Sequence, residues 1–314
     1  MNALLRAQDI RVSFLKERQK TVFGKERQQV LHGISLQLHE GECLGIIGES
    51  GSGKSTMGRV LTGLLRPDSG SVLLDGNDLY ASTHRKFAVD ESRISVVFQD
   101  YTSSTNPRFR VSGIIGEALR VLERAGEHVN RRERVAELLD QVGLPADFAQ
   151  RFPHELSGGQ LQRVCIARAI ALRPKVVLLD EAISSLDAST QVQVMDLLME
   201  LRTRLGLSYV FITHDLASIT YLCDSVLFFH NGKVVERVED MSRIGSVHNE
   251  YARNLLDSVM GIDVCHASQH QCAVSEAASE PEQPVPGTVQ SFPHSKPEPV
   301  VDVCRSEQPQ TKAV

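Results

Sequence analysis

Apolar and polar positions alternate through much of residues 4–46, as in Ile34-Ser-Leu-Gln-Leu38. A two-residue period turns every second side chain to one face, so this region reads as a sheet of short strands. A polar loop at Lys16–Gln29 interrupts it, and the apolar run Leu44–Ile47 ends it. The segment Gly70–Gly76 looks like a further strand bounded by turn residues. Between 112 and 142 the spacing widens to three and four: Ile114, Ala118, Leu119, Leu122, then Val135, Leu138, Leu139 and Val142. That is helical spacing, closed by Gly143 and Pro145. Ile94–Phe98, Val176–Asp180 and Ser208–Thr213 are apolar runs of buried-strand type, with a helix from about Ser189 to Leu205 between the last two. Such alternation of strands and helices predicts an α/β fold whose parallel sheet is covered on both faces.

Composition narrows the picture. The 314 residues are 41% hydrophobic and 23% charged, enough for a substantial core. No apolar run approaches the roughly 20 residues that cross a bilayer, and the first residues lack a secretory apolar core. A cytosolic location is expected, any membrane role coming from partner subunits. The net charge of −5 and the lack of a dense basic stripe give nucleic-acid binding little support. Cys43, Cys165 and Cys223 stand singly in apolar contexts and read as small buried hydrophobes, so no disulfide framework is indicated. After about Leu256 the character changes. Glu276–Pro309 is rich in Pro, Glu, Ser and Gln, a composition that cannot bury enough surface to fold alone. The chain therefore divides into a domain over 4–258, with helical residues at about 100–160, and a disordered C-terminal extension over 259–314.

Two short stretches carry the chemistry. Residues 48–56 read GESGSGKST, the phosphate-loop pattern G-x-x-x-x-G-K-[ST] after a strand-like run. The glycines Gly48, Gly51 and Gly53, with Glu49, Ser50 and Ser52 between them, let the backbone turn its N–H groups on an anion. Lys54 adds a point charge near the β- and γ-phosphates, Ser55 offers a hydroxyl to Mg²⁺, and Thr56 continues into a helix whose start adds its positive dipole end. Residues 156–160 read LSGGQ. Ser157, Gly158, Gly159 and Gln160 form a helix start ahead of the regular apolar pattern Leu161, Val164, Cys165 and Ala169. Both roles can hold together, since a helix start with free N–H groups and two glycines is also a phosphate site.

The phosphate loop followed by LSGGQ resembles the ATP-binding cassette family over roughly residues 4–258. The resemblance implies a P-loop (RecA-like) core, an antiparallel β subdomain and a helical subdomain bearing the signature. It implies ATP hydrolysis with ATP and Mg²⁺ as ligands. Asp180, at the end of Val176–Asp180, matches the acid that holds Mg²⁺, and Glu181 matches the catalytic glutamate that polarises the attacking water. Gln99 matches the glutamine that reaches Mg²⁺ or that water, and His214 the histidine that contacts the γ-phosphate. Ser184–Asp187 matches the loop that crosses the dimer interface, with Ser185 where alanine is more usual. Phe14 is the ring expected on adenine, with Phe23 as the competing candidate. In the family, one cassette's signature completes the site on a second cassette, so a second ATPase subunit is required.

Three further segments resemble the oligopeptide, dipeptide and nickel importer branch: FQDYTSSTNPR at 98–108, LDEAISSLD at 179–187 and VHNEYARNLL at 247–256. Members of that branch work with two membrane permease subunits and an extracytoplasmic solute-binding protein, on the cytoplasmic face of the inner membrane. Ala182 points to the nickel or metal-chelate side of the branch rather than to peptides. The extension carries Cys265, His266, His270 and Cys272, with His294 and Cys304 further on, a set that could bind a divalent metal but matches no standard zinc spacing. The alternatives are a soluble non-transport ATPase of the family, or a nucleotide-binding module with a metal-sensing tail. The short interval between Lys54 and Ser157 leaves no room for the long coiled coils of the DNA-repair cassettes. The intact set Lys54, Asp180, Glu181 and His214 argues against a module without turnover.

Overall fold

The computed structural model describes residues 3–16, 26–81, 94–100 and 102–258. Four antiparallel strands, β1 (Leu5–Leu15), β2 (Arg27–Leu38), β4 (Ser69–Leu74) and β5 (Asn77–Asp78), form one sheet in the order β2-β1-β4-β5. The second sheet is built from β3 (Cys43–Ile47), β6 (Ile94–Phe98), β7 (Val176–Asp180), β8 (Ser208–Thr213), β9 (Ser225–His230) and β10 (Lys233–Val238). Its order is β10-β9-β3-β8-β7-β6, with β10 antiparallel at one edge and every other neighbouring pair parallel. Among the described residues the helices include α1 (Lys54–Leu61), α2 (Val111–Arg124), α3 (Arg131–Gln141), α4 (Gly158–Ile170), α5 (Ala188–Leu205) and α6 (Leu216–Leu222), with a further helix over 250–258.

The apolar runs are explained by coverage on both faces. All residues of β3 and β8 are buried, and alternate side chains enter two separate cores. Leu44, Ile46, Leu178, Val210, Ile212, Leu227 and Phe229 pack with α1 and the antiparallel sheet. Cys43, Ile47, Val177, Leu179, Tyr209, Phe211, Val226 and Phe228 pack with α2 to α6. Each strand thus keeps its two-residue period, but both faces are apolar and the sequence shows a continuous run. The parallel sheet, the antiparallel sheet and the helices over 111–170 match the expected fold class.

Some elements differ from the sequence reading. The N-terminal strands are long rather than short, at 11 and 12 residues, and register shifts bend them. Arg27–Gln29, expected in the polar loop, lies in β2 opposite Leu15, Phe14 and Ser13. There the backbone ladder overrides polarity, because these side chains are exposed and ask nothing of the core. The hairpin β9–β10 was not anticipated at all. Phe23, Tyr101 and the extension over 259–314, including its Cys and His residues, lie outside the described residues. Cys43, Cys165 and Cys223 are buried, as expected. Among the described residues no helix is long and apolar enough to cross a membrane.

Candidate active site

The site is assembled by strand register. β3, β6, β7 and β8 run in one direction, with Ile47 opposite Thr213 and Asp180 opposite both Phe98 and Ile212. Gly48, Gln99, Glu181 and His214 follow these four strands and leave the sheet from one edge. Ligands of open α/β sheets sit at that carboxyl edge.

The phosphate loop joins β3 to α1, with Gly53 as N-cap. Lys54 is 4% exposed, and its Nζ donates to the carbonyl oxygens of Gly48 (2.7 Å) and Glu49 (2.8 Å), folding the side chain back across the loop. Burial lowers its pKa, while the carboxylates of Glu181, Asp180 and Glu49 pull it back up. The loop also packs tightly from behind, since a Cβ on Gly48 would come 2.1 Å from the Phe229 carbonyl oxygen. Among the described residues, the N–H groups of Gly51, Gly53, Lys54, Ser55 and Thr56 have no protein acceptor. The buried Ser52 hydroxyl likewise has no partner. So many donors gathered at a helix start fit a polyphosphate.

Asp180 and Glu181 close β7. Ser55 Oγ donates to Asp180 Oδ1 at 3.1 Å, so the helix start and the strand end meet through these two oxygens. Burial raises the Asp180 carboxyl pKa, and the Ser55 hydrogen bond opposes that rise. A carboxylate and a hydroxyl in contact are hard oxygen donors of the kind Mg²⁺ prefers. Glu181 adopts φ +49°, a left-handed backbone held by its N–H to Ile212 O (2.8 Å) and by the Ser184 hydroxyl on its carbonyl (2.9 Å). Such a conformation costs on the order of 1–3 kcal/mol. It turns the carboxylate toward His214, whose Nδ1 lies 3.5 Å from Glu181 Oε2.

The signature is built differently. Ser157 caps α4, with its Oγ accepting from Gln160 N (3.3 Å) and Gln160 Oε1 accepting from Ser157 N (3.0 Å). Gly158 is the first helical residue. Gly159 faces α5, where an added Cβ would stand 2.4 Å from Thr190 Cγ2. Thr190 cannot swing away freely, because its Oγ1 and N–H both bond Asp187, the N-cap of α5. No hydrogen bond among the described residues joins Ser157–Gln160 to the phosphate loop. Gly159→Ala should therefore push α4 from α5 and lower the thermal midpoint by roughly 2–10 °C. Adding Thr190→Ser, which deletes the clashing methyl, should restore much of it. Equal midpoints for Gly159→Ala and the parent chain in a melting experiment would refute this packing.

Phe14 lies on β1 opposite Gln28 and is 43% exposed, and Gln99 is exposed at the end of β6. Sequence reasoning missed two residues that hold the phosphate loop. Gly232 N–H donates to Ser52 O (2.9 Å), and Glu49 N–H donates to Tyr251 Oη (3.0 Å). The turn dipeptide Asn231-Gly232 was a usable signal for the first. Nothing local marks the second.

A phosphate loop, an acid pair at a strand end and a histidine one strand away, all on one sheet edge, define a P-loop nucleotide hydrolase. A family model for the ABC transporter matches residues 31–184. The ATP-binding protein CntF of a metal-staphylopine import system from Staphylococcus aureus is 44% identical over 236 residues, covering 75% of this chain and 92% of that one. A putative peptide import ATP-binding protein of Brucella ovis is 36% identical over 286 residues, covering 91% of this chain and 89% of the relative. The solved dimer of the ATP-binding cassette MJ0796, in a post-hydrolysis state with ADP and Pi, is 28% identical, with a TM-score of 0.65 over 76% of this chain and 98% of that one. The chain belongs to the ABC transporter family and is an ATP-binding cassette ATPase. Its relatives are import ATP-binding proteins, the branch to which the segments at 98–108, 179–187 and 247–256 pointed.

Proposed function

We propose that this chain is the ATP-hydrolysing subunit of a membrane importer for nickel, a metal chelate or peptides. It would lie peripherally on the cytoplasmic face of the inner membrane. The domain over 4–258 is the motor, and 259–314 is an extension to it. The observation that carries the ATPase part is the phosphate-loop donor cluster beside the Ser55–Asp180 and Glu181–His214 contacts. The importer part rests on the 44% identity to a metal-staphylopine import protein, which also favours a metal chelate over peptides.

In this reading the free N–H groups of Gly51 and of Gly53 to Thr56, with the Lys54 ammonium, hold the phosphates, with Phe14 on the adenine. Ser55, Asp180 and Gln99 would hold Mg²⁺, which supplies charge to the phosphate oxygens. Glu181 accepts the proton of the attacking water, and the phosphoryl group passes to that water's oxygen as ADP leaves. His214 keeps the Glu181 carboxylate aimed and reaches the γ-phosphate. Ser157, Gly158, Gly159 and Gln160 serve the nucleotide of a second cassette, and Asp187 fixes the loop before α5 at the same boundary. One cassette alone is incomplete, so the working unit is a pair of ATPase subunits beneath two permease subunits, supplied by a solute-binding protein outside. Loss of the γ-phosphate releases the pair. Affinity capture of the tagged chain from its own membrane should recover two membrane proteins and an ATPase partner. An active ATPase captured without any membrane protein would leave the enzyme intact and refute import.

A further inference from the structure

The segment after the cassette strands reaches back to the phosphate loop. A helix over 250–258 follows Asn249, whose Oδ1 accepts from Tyr251 N (3.0 Å) and Ala252 N (3.3 Å) as an N-cap. Glu236 on β10 fixes its entry by accepting from His248 N (3.3 Å) and Asn249 N (2.8 Å). Ala252 and Leu256 anchor it in the core beneath α2 to α6. This mounting delivers the half-buried Tyr251 to the loop, where its Oη accepts the Glu49 N–H at 3.0 Å. The His230 ring lies against the Tyr251 ring at 4.1 Å between centroids. Two residues beyond His230, the Gly232 N–H holds Ser52 O at 2.9 Å.

The Gly48–Glu49 peptide is thus held at both ends, by Tyr251 on the Glu49 N–H and by Lys54 Nζ on the Gly48 carbonyl at 2.7 Å. The Glu49 carbonyl accepts from Ser52 N at 3.2 Å. Lys54 Nζ bonds this carbonyl too, at 2.8 Å, so a tilt of the tethered peptide would move Lys54 directly and reach Ser52 through the adjoining peptide. Preorganised donors are what make an anion site effective, since a loop that must be ordered on binding loses affinity in proportion. Burial raises the Tyr251 pKa, so the hydroxyl that accepts the Glu49 N–H stays a neutral phenol.

We propose that Tyr251 is a positioning residue of the nucleotide site, tethering the phosphate loop through the Glu49 N–H and linking the post-cassette helix to nucleotide affinity. The proposal rests on the phosphate-loop reading and adds a contact from 202 residues further along the chain.

The test uses the full-length chain. Tyr251→Phe keeps the ring against His230 and removes only Oη. The ATP Kd should rise roughly 3- to 10-fold, the effect of losing one hydrogen bond. The nucleotide-free thermal midpoint should stay within about 2 °C, and amide exchange at Glu49 should accelerate. A merely structural role would move the midpoint and leave the Kd alone, and that result overturns the proposal. So does a raised Kd with unchanged exchange at Glu49, which would place the effect elsewhere. Lys54→Ala run in parallel separates the two readings. If Lys54→Ala also binds ATP normally, the phosphate-loop reading has failed. If it loses ATP while Tyr251→Phe binds normally, only the tether is refuted.

Discussion

Glu181→Gln is expected to bind ATP as the parent chain does and to lose hydrolysis by roughly 10²- to 10⁴-fold, the usual contribution of a general base. The amide has the size and shape of the carboxylate but cannot take the proton of the attacking water. The contacts that hold this residue at φ +49° are made by its backbone to Ile212 and Ser184, so the substitution leaves the turn standing. His214 Nδ1, at 3.5 Å from the Glu181 side chain, can still face the amide. With binding intact and turnover blocked, the γ-phosphate that joins two cassettes persists. The variant should therefore run as a dimer in size-exclusion chromatography with ATP, and the parent chain should not. Single-turnover hydrolysis is the decisive measurement. A rate within a few-fold of the parent would remove Glu181 from the base role and shift attention to Gln99 or His214.

How much of this was legible in the sequence follows from chain distance. The phosphate loop was readable because Gly48, Gly53, Lys54 and Ser55 act through consecutive backbone, and its helix begins where Gly53 placed it. The apolar runs at 176–180 and 208–213 gave their strands, and register then set Asp180 opposite Ile212. That register is a property of the sheet, so sequence supplied the residues but not their shared edge. The helix start at Ser157–Gln160 was visible as a local pattern, but its reciprocal capping box was not. Its partner was not, because Gly159 meets Thr190 across two helices. Arg27–Gln29 were hidden for a different reason, since an exposed strand face carries no hydrophobic signal. Tyr251 lay furthest out of reach. It falls within the segment at 247–256, yet its hydroxyl contacts Glu49, 202 residues earlier in the chain.

Lys54→Ala is the second large effect, and its expected signature separates binding from folding. The buried ammonium has its pKa lowered by desolvation, so its charge is held in the fold at a cost. Removing it relieves that cost but takes one hydrogen bond from each of the Gly48 and Glu49 carbonyls, the second keeping Ser52 N, at about 1 kcal/mol or less each. These opposed terms should leave the nucleotide-free thermal midpoint within a few degrees of the parent. ATP binding has no such compensation. A hydrogen-bonded charge aimed at phosphate contributes roughly 1.5–3 kcal/mol, so the Kd should rise roughly 10- to 100-fold. At an ATP concentration 100 times the parent Kd, ligand binding stabilises the parent fold by about 2.7 kcal/mol. For a 100-fold weaker variant the same concentration gives only about 0.4 kcal/mol. For a 10-fold weaker one it gives about 1.4 kcal/mol, so the ATP-induced shift of the melting curve should fall to roughly half or less while the nucleotide-free curve stays in place. A full ATP shift in the variant would overturn the phosphate-loop assignment. A collapse of the nucleotide-free curve would instead make Lys54 a folding residue, because the two carbonyls it holds would then outweigh the charge it buries.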